Sequence, residues 1–221
     1  RRITERMLGK SYTDMLWELG YQDLVTEVSE MGESSKDTRL KLDLTGRDPD
    51  DGLTDIAYEK GALFLQLIEL NAGRDEFDKF LAKYFNEHAF KTITTEAFLK
   101  YLDTALIKGN EDLRKKLTIN EWVYGTGIPA NCPRAQQERF GKVDSQRAIF
   151  LSGAPAEQMV TVEWTTHEWL HFLRKLPATL SATQMKKLDD AYNLTNTGNS
   201  EIADLWYVLS VRIKYSKAYP A

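Results

Sequence analysis

Two stretches carry side chains whose types and spacing could do chemistry. The first is Tyr58, preceded by Asp48, Asp50, Asp51 and Asp55 and followed by Glu59, Lys60 and Gly61. A phenol at the entrance of a rigid helix can donate a hydrogen bond to a reacting oxygen, and it can equally anchor a core as an amphipathic side chain. The second is His167-Glu168-Trp169-Leu170-His171. On a helix this HExxH spacing can aim two imidazoles at one zinc ion, with the Glu as general base.

The elements that must position these groups are helical. Between Ala62 and Leu70 only Gln66 and Glu69 are polar, so this helix lacks a solvent face and is expected to be buried; it is too short to cross a bilayer. The run Asp48-Pro49-Asp50-Asp51-Gly52 before it is turn chemistry, with Gly52 expected to serve through positive φ. Its carboxylates could hold a cation or a substrate amine, or simply form a solvated turn.

Around HEWLH, Thr165 with Glu168 spells a capping box that already employs the glutamate. Trp169, Phe172, Leu173 and Leu176 form the apolar stripe of that helix. At about 100° per residue, His167 and His171 are then expected to face solvent beside Arg174 and Lys175, cations that repel a dication. Pro177 ends the helix and Ser181 with Gln184 starts another, so Asp190 need not approach the pair. The expectation is a surface face and no metal held by this chain.

The rest of the chain reads as mainly α. Ser11 with Asp14 suggests a helix start, with Leu16, Leu19, Leu24 and Val28 as its stripe. Leu40, Leu42 and Leu44 alternate with polar residues as a short extended piece would. Phe77, Phe80, Leu81, Tyr84 and Phe85 recur at helical spacing as core, with His88 closing that helix. Thr94 and Thr95 can cap the next, and Thr118 with Glu121 spells a second capping box. A Gly/Pro shift over 125–133 reads as a linker between region 1–124 and region 134–221. Helices are expected from Arg134 to Leu151 and from Asn199 to about Lys217, the latter with Ile202, Leu205, Trp206, Leu209 and Ile213 inward.

Composition narrows the partners. A net charge of −4 provides no basic footprint for nucleic acid or an anionic membrane. Cys132 is the single cysteine, so no internal disulfide forms, and the compartment leans towards a reducing, cytoplasmic one.

Several segments resemble the M1 family of zinc aminopeptidases, in its leukotriene A4 hydrolase-like branch. They are Asp48-Pro49-Asp50-Asp51 followed by Ala57-Tyr58-Glu59-Lys60-Gly61, then Thr92-Ile93-Thr94-Thr95, Trp122-Val123-Tyr124 with Gly127-Ile128-Pro129, and Asn199-Ser200-Glu201-Ile202. The resemblance covers nearly the whole chain. It implies the helical half of a thermolysin-like catalytic domain followed by part of an α-helical C-terminal domain. It further implies hydrolysis of N-terminal residues from peptides, with Tyr58 stabilising the oxyanion formed when zinc-activated water attacks the scissile carbonyl. Asp50 matches an Asp that faces the substrate cleft. Ala57 replaces the usual Pro, and Leu53 stands where the epoxide hydrolase has a second Tyr, which argues against that activity.

The family's zinc and amine-binding motifs are expected upstream of Arg1, and the basic residues that hold a substrate carboxylate beyond Ala221. The chain is thus expected to be a fragment whose partners are the N-terminal part of the same protein and a peptide substrate, inactive alone. Eighteen residues separate His171 from Asp190, the family's spacing for its third ligand, so a self-contained zinc peptidase is one rival reading. A free-standing helical interaction module is the other.

Overall fold

A computed structural model of the chain describes residues 1–136 and 138–219. The end of the expected second region, Pro220-Ala221, lies outside them. Helices dominate and no strand occurs among the described residues. The α-helices are α1 (Arg2–Leu8), α2 (Lys10–Met31), α3 (Gly61–Ala72), α4 (Arg74–Glu87), α5 (Thr95–Leu102), α6 (Glu111–Leu117), α7 (Ile119–Val123), α8 (Glu138–Leu151), α9 (Thr166–Arg174), α10 (Ala182–Tyr192) and α11 (Ser200–Ile213). None is long and apolar enough to cross a membrane.

The chain divides into two compact units, Gly20–Arg134 and Arg1–Leu19 with Ala135–Ala221. In the first, α3 packs on α4 and α6. Leu63, Phe64, Leu67 and Ile68 supply its buried stripe, and Phe64 stacks on Trp122 with ring centroids 5.5 Å apart. Each such side chain contributes roughly 1.5–3 kcal/mol of burial. The helix is not enclosed all round, however, because Leu65 and Leu70 are exposed. The 3.6-residue period turns Leu65 away from the stripe, whereas Leu70, on the side of Leu63 and Leu67, is exposed near the C-terminal end of the helix. Phe85 likewise falls off the α4 stripe and is exposed, whereas Phe77 and Phe80 are buried. His88 closes α4, its Nδ1 2.9 Å from the carbonyl of Tyr84.

In the second unit α9 packs on both α8 and α11. Phe150, Phe172, Met185, Leu188 and Trp206 are fully or almost fully buried there. Two helix starts are capped as the sequence spells them, and a third cap is found at Asn199. Thr165 and Glu168 form a capping box, Ser181 and Gln184 form another, and Asn199 accepts from the amides of Glu201 and Ile202. The last helix ends at Ile213, earlier than the apolar periodicity implied, because Lys214 turns left-handed.

Three local expectations fail for backbone reasons. Ser11 does not start a helix, since the break lies at Gly9 and α2 begins at Lys10. Thr118 makes no side-chain cap; it sits at φ 36° between α6 and α7, outside the extended conformation that an N-capping side chain requires. The alternating leucines form no strand, because a single backbone bond, Lys41 N–H to the carbonyl of Val123 at 3.0 Å, is too little for a ladder.

Candidate active site

The turn before Tyr58 is built by its own side chains. Asp48 accepts from the amide of Asp50 at 3.0 Å, and Pro49 opens the 3-10 turn Pro49–Gly52. Gly52 does not use positive φ. Its lack of a side chain admits neighbours instead: a Cβ there would meet Leu44 Cδ1 at 3.0 Å and Leu42 Cδ1 at 3.3 Å. Asp50 and Asp55 are exposed. Arg47 bonds Asp37 at 2.6 Å and Asp51 at 3.4 Å, and its guanidinium holds the Asp37 carboxyl below the usual range.

Tyr58 then lies in a π-helical turn, Ile56–Lys60, that runs straight into α3. Such wide turns are uncommon and gather at functional sites. The turn is sharply two-sided: Ile56 and Lys60, four residues apart, are buried, whereas Tyr58 between them is 68% exposed. The phenol is therefore presented outward on a rigid support. No hydrogen bond or ion pair joins it to Asp50 among the described residues, although both are exposed within the same unit.

The residue that sequence reasoning passed over is Lys60. Its ammonium is fully buried and donates to the carbonyls of Thr38 at 2.8 Å and Gly125 at 3.0 Å. Burial pulls its pKa down to about 8, with the like charge of Arg39 adding to the effect and Cys132 opposing it. Burial also pushes the Cys132 thiol up to about 11, so it stays protonated near neutrality. The Thr38 hydroxyl accepts from the amide of Gly127 at 2.8 Å, so segment 125–127 is fastened at two points. Nothing local in the sequence signals this, because the two carbonyls lie 22 and 65 residues away. The one hint was a lysine abutting a strongly apolar run.

HEWLH folds differently from the expectation. Glu168 is buried and receives Arg139 from α8 in a bidentate pair, both contacts 2.9 Å, as well as the Thr165 amide and hydroxyl. His171 does not face solvent; it is 2% exposed, stacked on Phe140 at 3.9 Å. Its Nε2 lies 3.1 Å from Asp144 Oδ1 and its buried Nδ1 has no partner. Burial outweighs the pull of Asp144 and lowers its pKa, which favours a neutral ring donating from Nε2. His167 is half-buried, its Nδ1 3.1 Å from the Tyr12 hydroxyl. The face expected to be open is covered as well, because α9 packs on both α8 and α11. Asp190 pairs instead with Lys186 and Lys217.

No three His, Cys, Asp or Glu residues gather as a metal site among the described residues. Since Arg139 and the helix cap occupy the Glu168 carboxylate, and His171 is buried against Phe140, these donors do not fit a zinc centre.

The family model described as Peptidase family M1 domain matches residues 2–122, and that described as Leukotriene A4 hydrolase, C-terminal matches residues 164–221. Leucine aminopeptidase 2 of Pyricularia oryzae is 30% identical over 233 residues, spanning 99% of this chain and 37% of that protein. A leukotriene A-4 hydrolase homolog of Botryotinia fuckeliana is 28% identical over 229 residues, spanning 99% and 35%. The chain thus spans little more than a third of the length of these relatives. In fold it is similar to yeast LTA4 hydrolase in complex with bestatin, with a TM-score of 0.79 at 20% identity, over 98% of this chain and 39% of that one. Native leukotriene A4 hydrolase from Saccharomyces cerevisiae gives 0.78 at 21%, over 98% and 38%.

Proposed function

The chain belongs to peptidase family M1, and from that premise we propose that it supplies the Tyr58 side of the active site in an aminopeptidase that removes N-terminal residues from peptides. The observation that carries this reading is the outward presentation of Tyr58 on a π-helical turn anchored from both flanks. An exposed phenol on a fixed support can donate to the oxygen that becomes negative as a peptide carbonyl is attacked, and a donor held in place beforehand need not reorganise during the reaction. Asp50, exposed at the preceding turn, is assigned to the substrate cleft. The names of the fungal relatives, leucine aminopeptidase 2 among them, support a peptide substrate.

The zinc that the family implies activates the attacking water when bound. Its ligands are assigned to sequence outside this chain, since the HEWLH donors are committed to packing. The isolated chain is accordingly proposed to be inactive.

Tyr58→Phe in the full-length protein tests the reading with an aminoacyl-anilide substrate. The expected result is a loss in kcat of about 10²–10³, as for removal of one oxyanion donor, with KM little changed. Full kcat in the variant, or release of anilide by the 221-residue chain alone, would refute the corresponding part.

A further inference from the structure

We propose that Lys60 is a positioning residue for Tyr58: its buried ammonium, held by the carbonyls of Thr38 and Gly125, fixes the π-helical turn so that the phenol stays aimed outward. The inference rests on the oxyanion role of Tyr58 and adds the device that would make that role possible.

The geometry argues it in three steps. Ile56 and Lys60 lie on the inner side of the turn at 2% and 0% exposure, and Tyr58, midway between them, lies on the outer side. In a helical turn, residues two apart point in roughly opposite directions, so an inward pull on Lys60 presents Tyr58 outward. Secondly, an ammonium is among the least suitable side chains to bury for packing alone, because its charge loses water. Methionine or leucine would fill the same space without that penalty. Lys60 instead finds two main-chain acceptors at 2.8 and 3.0 Å, charge-assisted bonds of the stronger kind. Thirdly, the acceptors are themselves fixed. Thr38 closes the 3-10 turn Lys36–Thr38, and its hydroxyl receives the amide of Gly127, two residues beyond Gly125. The segments around residues 38 and 125 are therefore tied to each other as well as to the lysine. Tyr58 inherits its position from a junction of three segments.

The role is distinguishable from plain stabilisation. Loss of a junction that only holds the unit together would lower the melting point and leave kcat per folded molecule unchanged. Loss of a positioning junction lowers kcat itself, since a displacement of about 1 Å in a reacting group can reduce rate on the order of a hundredfold.

The experiment compares the full-length wild type with Lys60→Met, Tyr58→Phe and the double variant. Each is assayed for kcat and KM on an aminoacyl-anilide, with folded fraction and melting point measured alongside. Lys60→Met is expected to lose about tenfold or more in kcat at nearly constant KM. It is expected to add no more than about twofold to the loss already caused by Tyr58→Phe, because effects through one group do not add. If Lys60→Met lowers only the melting point, or reduces kcat as much without the phenol as with it, the inference is overturned. Thr38→Val, which removes the acceptor for the Gly127 amide but keeps the lysine, carries the same test where Lys60→Met does not fold. A smaller kcat loss that vanishes on the Tyr58→Phe background supports the junction, and unchanged kcat overturns it. Full kcat in Tyr58→Phe fails the underlying oxyanion reading instead, so the two failures are told apart.

Discussion

In the turn Ile56–Lys60 the phenol of Tyr58 is 68% exposed, while the charged neighbour two residues on is fully buried. In α9 the arrangement is reversed: Glu168 and His171, the groups a zinc site would need free, are 5% and 2% exposed and already bonded. The turn thus turns its charge inward to support an available donor, and the helix consumes its donors in support of its own packing. A motif written correctly in sequence has chemical meaning only when its ligating atoms are both uncommitted and accessible.

The contrast is sharpest when each region loses its distinguishing group. Glu168→Ala should unfold its unit more easily by about 3 kcal/mol or more, because the half-buried Arg139 is left without its bidentate partner and the helix loses its capping box. Its kcat per folded molecule should stay at the wild-type level. Tyr58→Phe should do the converse, shifting stability by under about 0.5 kcal/mol, as exposed substitutions do, while reducing turnover. Urea unfolding paired with the anilide assay measures both, and a stable but inactive Glu168→Ala would break the comparison.

His171 offers a smaller test through pH. Its folded pKa lies below the ordinary value near 6.5, so the unfolded chain takes the proton first as pH falls. The stability it contributes is fully present above about 6.5 and is lost progressively below. His171→Phe, which keeps the stack on Phe140, should flatten this part of the unfolding midpoint between pH 7 and 5. An unchanged pH slope would mean that the imidazole is not held neutral. Smallest of all, Asn199→Ala should cost about 1 kcal/mol, the usual worth of an N-cap. A neutral result there would show that the amides of Glu201 and Ile202 find water as readily as the side chain.

Much of the helical framework was legible because its signals are local. The Thr165–Glu168 and Ser181–Gln184 boxes lie within three residues of what they bond. The inward residues of α11 follow from the helical period alone. Thr118 shows where local reading stops: its spacing to Glu121 is right for a box, but the junction of α6 with α7 forces φ positive and removes the cap. The candidate site was legible in part. Tyr58 stood out as a phenol beside an apolar run, whereas Lys60 did not, since no spacing rule announces a buried ammonium.

By itself, then, the sequence determined the helical class, most of the caps and stripes, the position of Tyr58 at a helix entrance and the resemblance to family M1. Only the tertiary structure decided that Lys60 points inward, that His171 is stacked on Phe140 with Asp144 at its nitrogen, and that Leu65 and Leu70 are exposed. The reason is one of range. Caps and periodicity act within a turn or two of chain, whereas the partners of Lys60 lie 22 and 65 residues distant and that of His171 lies 27 away. A side chain's direction is fixed when such segments converge, and convergence is a property of the packed chain.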